Sequence, residues 1–155
     1  MTEAGVDAAA RSLRAWLNRR SFTDLSTAEV TAFLTDTVAD WGSGLGYRVH
    51  REVDLPSARR GGAGGRAGRL DLQLHHRSGK GRPISIEVDR STKLWSLDKL
   101  AEAAELGHLA LWLRWSRSPV PVAIPPAVRL VRAQVVRRTS PTLGKVHSLL
   151  PDNCG

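Results

Sequence analysis

Gly68-Arg69-Leu70-Asp71-Leu72-Gln73-Leu74-His75 and Pro83-Ile84-Ser85-Ile86-Glu87-Val88-Asp89 read as two short strands joined by the turn Arg77-Ser78-Gly79-Lys80-Gly81. Period-two alternation puts Leu70, Leu72, Leu74, Ile84, Ile86 and Val88 on one face, and Asp71, Gln73, Ser85, Glu87 and Asp89 on the other. With the turn centred on Gly79, Asp71 lies directly opposite Glu87. Like charges facing each other across a strand pair repel, so a sheet that keeps both must offset them with a cation, a proton or solvent. A divalent metal is the sharpest of these options. Hydrolysis of a phosphodiester needs a hard, oxygen-ligated cation, and carboxylates on a rigid strand pair supply such a site. Asp71, Glu87 and Asp89 are therefore candidate catalytic residues and candidate ligands of Mg²⁺ or Mn²⁺. The plainer alternative is that one or more of them face solvent on an open sheet face.

Working outward, the N-terminal segment predicts a helix from about Asp7 to Asn18, with Val6, Ala10, Leu13 and Leu17 at helical spacing and Trp16 widening the stripe. Ser26-Thr27-Ala28-Glu29 is a capping-box signature for a second helix carrying Val30, Phe33, Leu34, Val38 and Trp41 on one face, ended by Gly42 and Gly44. Gly46 to Leu55 reads as a strand closed by Pro56. After the hairpin, Ser96 predicts the N-cap of a third helix with Leu97, Leu100, Ala101 and Ala104 buried and Gly107 as the stop. Leu109 to Trp115 reads as a buried strand, parallel to Ile84–Asp89 because a helix crosses between them. Val120 to Ile124 and Val128 to Val136 are candidate edge strands, against which Pro119, Pro121, Pro125 and Pro126 argue.

The chain of 155 residues fits a single domain: an N-terminal helix over 1–25, a core over 26–115 and a basic extension over 116–155. Its net charge of +8 is unevenly spread, since no acid falls between Leu106 and Pro151 whereas six arginines and Lys145 do. Such a field suits a polyanion such as nucleic acid, and DNA is the expected partner. Codon bias is the competing explanation, because 19 of the 23 basic residues are arginine. The loop from Ser57 to Gly68, with Arg59, Arg60 and Arg66 and the following Arg69, can track a phosphate backbone or simply be a solvated connection. One cysteine, Cys154, excludes an internal disulfide and points to a reducing, cytoplasmic setting. The apolar run Leu109 to Leu113 is far short of the ~20 residues of a membrane span.

The order helix, strand, strand, strand, helix, strand, with Asp71 on the middle strand and Ile86-Glu87-Val88-Asp89 on the next, resembles the PD-(D/E)XK nuclease superfamily over roughly Ser26 to Trp115. That resemblance implies an α/β restriction-endonuclease-like fold, an αβββαβ core with a mixed central sheet. It also implies a metal-dependent nuclease acting on DNA, with Asp71 and Glu87 holding Mg²⁺ beside the scissile phosphate. Two positions depart from the family pattern: Leu70 stands where proline is common, and Asp89 takes the place of the usual lysine. The acid-x-Asp arrangement looks like that of very-short-patch-repair-type relatives. Glu29 matches a further metal-organising acid of some members, although the capping box already accounts for it.

The missing cation can come from Lys93, which shares the parity of Glu87 and Asp89, or from Lys99 of the following helix; Lys99 is expected to be solvated, so Lys93 is preferred, with Arg90 as a phosphate contact. His75 and His76 point to opposite faces of a strand and read as strand-end polar residues. Trp95, beside Lys93, can pack on a base or sugar. Two further readings stand beside the nuclease: a non-catalytic nucleic-acid-binding module, and an interaction subunit that forms a homodimer through Trp112, Trp115 and the C-terminal segment.

Overall fold

The computed structural model describes residues 2–56 and 68–151, with side chains from residue 5. Helix α1 spans Thr2–Leu17, β1 Phe22–Leu25, α2 Thr27–Gly44, β2 Tyr47–Asp54, β3 Arg69–His76, β4 Ile84–Asp89, α3 Leu94–Glu105, β5 Leu109–Arg114, β6 Val128–Arg132, β7 Val136–Ser140 and β8 Gly144–Leu149. The main sheet is mixed and five-stranded, in the order β2-β3-β4-β5-β6. β2, β3 and β4 run antiparallel to their neighbours, whereas β4, β5 and β6 are parallel. A second, three-stranded sheet has the order β1-β8-β7. Among the described residues, no helix is long and apolar enough to cross a membrane.

Alternation along the strands feeds two cores. Leu72, Leu74, Ile84, Ile86, Val88, Leu111 and Leu113 pack with Val6, Leu13 and Leu17 of α1 and Val30, Leu34 and Val38 of α2. On the opposite face Ala110, Trp112 and Val128 pack with Leu97, Leu100 and Ala103 of α3. Leu70 departs from the expected apolar face and joins the α3 core, one residue before Asp71 pairs across from Glu52, which takes a positive φ of 55°. Gly42 allows α2 to lie close on β3, since a Cβ there would come 2.8 Å from Leu74 Cδ1.

The capping box opens α2 as the sequence predicts: the Glu29 N–H donates to Ser26 Oγ at 3.2 Å, and the Ser26 N–H donates to Glu29 Oε1 at 2.9 Å. Ser26→Ala should therefore cost about 1 kcal/mol, a fall in Tm of roughly 3 °C for a chain of this size, read by thermal melting. An unchanged Tm would mean that packing alone holds the start of α2.

Three boundaries differ from the sequence expectation. α1 begins at Thr2 instead of Asp7. α3 begins at Leu94, with Lys93 in the N-cap position and making no side-chain cap bond. Ser96 is inside that helix and buried, its N–H donating to the Lys93 carbonyl at 3.1 Å, because the inward stripe is Ser96, Leu100 and Ala103. Val120–Ile124 forms no strand, in keeping with its flanking prolines, and Val128–Val136 is divided between β6 and the start of β7. β8 and the four-residue β1 are the elements that sequence periodicity did not mark.

Candidate functional site

β3 and β4 deliver the acids to the face covered by α3. Their ladder pairs Leu72 with Ile86 and Gln73 with Ser85, and its continuation brings Asp71 beside Glu87. The Asp71 N–H donates to Glu87 Oε2 at 3.2 Å, and the Val88 N–H donates to Asp71 Oδ2 at 2.8 Å. Each carboxylate is thereby fixed by the other's strand. Glu87 is 1% exposed. Burial, followed by the neighbouring Asp71 carboxyl, pushes its pKa up to about 9, against the opposing pull of Lys99.

Lys99 is the cation of this site. Its ammonium lies against Glu87 Oε1 and donates to the Arg69 carbonyl at 2.8 Å, while lying 5.0 Å from the centre of the Trp95 ring. Its side chain is only 14% exposed, so the expectation of a solvated lysine is wrong. The buried stripe includes Ser96 and Ala103, and Lys99, three residues after the one and four before the other, lies on that side of the helix. Lys93, the residue expected in that role, is 64% exposed at the side chain and approaches Asp89 Oδ1 at 3.8 Å.

Asp89 is buried but turned along the strand: its Oδ2 accepts a hydrogen bond from Trp112 Nε1 at 2.9 Å. It thus belongs to a contact with β5. Glu29 lies on α2, across the sheet from this pair, with its carboxylate in the capping box. Among the described residues, no group of three or more His, Cys, Asp or Glu side chains is disposed to hold a metal ion. The oxygen donors that fit a hard cation are the Asp71 and Glu87 carboxyls: burial and the neighbouring Asp71 push Glu87 toward its neutral form, and a divalent ion would favour ionisation of both.

No family model matches the chain, and neither a curated protein nor a solved structure matches it. The geometry must therefore carry the functional argument alone.

Arg69 sits beside the pair but is itself engaged by Asp54 at 3.4 Å and Glu52 at 3.9 Å. Arg90 is exposed at the end of β4. Arg59, Arg60 and Arg66 lie outside the described residues. His75 and His76 separate as expected: His75 bonds Gln73 Oε1 at 2.8 Å, and His76 bonds Ser78 Oγ at 2.7 Å. Sequence reading missed that His108 completes this polar group, meeting Ser85 Oγ at 2.9 Å and Gln73 Nε2 at 3.3 Å. Burial holds the His75 and His108 pKa values below the ordinary imidazole range, so both are neutral partners in this network. Trp112 and Trp115 are 0% and 2% exposed, which removes them as the contact surface of a dimer.

Proposed function

We propose that the chain is a metal-dependent nuclease of the restriction-endonuclease-like fold, hydrolysing phosphodiester bonds of DNA at Asp71, Glu87 and Lys99. The observation that carries this reading is the pairing of half-buried Asp71 with buried Glu87 beneath a single lysine. Its setting supports it: the run α2, β2, β3, β4, α3, β5 follows the αβββαβ order, with the acids on the second and third of its strands.

Asp71 and Glu87 would hold Mg²⁺ or Mn²⁺, which when bound supplies a polarised phosphate and a more acidic water. The remaining work belongs to the chain. The backbone N–H groups of Asp71 and Val88 hold the two carboxylates in place, so little reorganisation is needed when charge develops. Lys99 carries the positive charge that complements a phosphorane-like build-up of negative charge, and its bond to the Arg69 carbonyl fixes the height of the ammonium above the sheet. Trp95, 40% exposed beside it, offers an aromatic surface to a base or sugar.

Calorimetric titration with Mn²⁺ and Mg²⁺ tests the metal site. The expected result is saturable binding accompanied by release of the Glu87 proton, seen as a dependence of the heat on buffer ionisation, and lost in Asp71→Ala. Unchanged affinity in Asp71→Ala would end the proposal. A second reading, a non-catalytic nucleic-acid-binding module, draws on the engagement of Asp89 by Trp112. DNA binding that is sensitive to salt but indifferent to divalent ions would favour it.

A further inference from the structure

On the other side of the sheet, the carboxyl ends of β4 and β5 open into a cleft of about 620 Å³ bounded by the second sheet. Arg90 and Ser91 come from the end of β4, Ser116 to Ser118 from the end of β5, and Arg137 and His147 from β7 and β8. No acidic residue lines it. Several arginines outside it are paired: Arg51 with Asp36, Arg69 with Asp54, Arg129 with Asp7 and Arg138 with Asp24, while the buried Arg114 donates to Ser118 Oγ and neighbouring carbonyls. Among the described residues, Arg90, Arg117 and Arg137 have no carboxylate in ion-pair distance.

We infer that this cleft is a phosphate-binding site, in which Arg90, Arg117 and Arg137 receive the anion and the mutually bonded Ser116 and Ser118 hydroxyls leave one O–H to donate to it. Three arginines without a carboxylate partner line one concavity, and a phosphate offers the oxygens that suit their forked donors. The cleft has the size of sites that hold ligands of nucleotide dimensions. Its position fits too, because ligands of open α/β sheets sit beyond the carboxyl ends of parallel strands. His147 forms the floor, 3% exposed, with Nε2 held by Thr27 Oγ1 at 3.1 Å and its ring edge-on to Trp115. Burial lowers its pKa, and the charges of Arg90 and Arg137 lower it further.

The phosphate can come from a DNA strand or from a free phosphorylated compound; the strand as its source rests on the function proposed above, whereas the site itself does not. Calorimetry of the full chain with inorganic pyrophosphate, in chloride buffer free of divalent ions, tests the site. Saturable binding is expected, weakened about tenfold or more in Arg117→Gln/Arg137→Gln and nearly unchanged in Arg77→Gln/Lys80→Gln on the distant hairpin turn. No saturable binding, or equal losses in both variants, would overturn the inference. Displacement of a bound oligonucleotide by pyrophosphate identifies a strand as the source, and independent binding of the two identifies a free phosphate compound. Asp71→Ala should still bind pyrophosphate. A chain that binds pyrophosphate through these arginines but never cuts DNA keeps this site and loses the nuclease, and one that cuts DNA without such binding does the reverse.

Discussion

If the chain is the nuclease proposed above, Lys99→Met is expected to lower single-turnover cleavage of DNA by about 10²-fold or more while leaving DNA affinity nearly unchanged, as loss of a transition-state electrostatic contact does. The ammonium is held against Glu87 and the Arg69 carbonyl in a site shielded from water, where a charge acts far more strongly than at the surface. Lys93→Met should change the same rate by no more than about threefold, because Lys93 is largely exposed and meets only Asp89 at 3.8 Å. Rapid-quench assays with protein in excess, alongside separate binding measurements, read both. Equal losses in the two variants, or a loss confined to affinity, would take Lys99 out of the chemistry.

The second large effect is on stability. In the folded chain burial and Asp71 raise the Glu87 pKa to about 9, against an ordinary value of 4.5. Below about 4.5 both folded and unfolded chains carry this proton, and the contribution to stability is fully present. As pH rises the unfolded chain releases the proton first, so stability falls by up to ~1.4 kcal/mol per pH unit until the folded carboxyl ionises near 9. Between pH 6 and pH 8 the metal-free protein should therefore lose roughly 2 to 3 kcal/mol. Glu87→Gln should flatten that decline and be the more stable protein at pH 8. Urea denaturation across this range in the presence of a chelator measures it, and the same slope in parent and variant would show that Glu87 is ionised at neutral pH.

Much of this arrangement was legible in the sequence because two strands of strict alternation admit one register. A turn centred on Gly79 leaves Asp71 no neighbour but Glu87, and the structure keeps that register. The capping box likewise fixed the start of α2 through two short-range bonds that depend on no distant residue. Lys99 was misread for the opposite reason. Ser96 is a good N-cap in isolation, but it is buried inside the helix with Leu97, Leu100 and Ala103, and Lys99, three residues after Ser96 and four before Ala103, shares that side and meets Glu87. A buried carboxyl pair demands a cation from somewhere, and that demand was a better guide to Lys99 than the helix boundary.

Asp89 shows a second limit. Parity placed it on the face of Asp71 and Glu87, and it is on that face, but its direction was set by the Trp112 indole on β5, a contact made across the parallel pair and invisible in local pattern. The arginine cleft was hidden in the same way. Its residues are scattered from Arg90 to His147, and only the packing of β7 and β8 beside the ends of β4 and β5 gathers them.

The most direct measurement is cleavage itself: single-stranded, double-stranded and branched DNA incubated with the full chain and Mg²⁺ or Mn²⁺, beside Asp71→Ala prepared identically. The account predicts strand scission that requires the divalent ion, stops on chelation and is absent from Asp71→Ala. No scission of any of the three substrates with either ion, or scission that persists in Asp71→Ala, would contradict it.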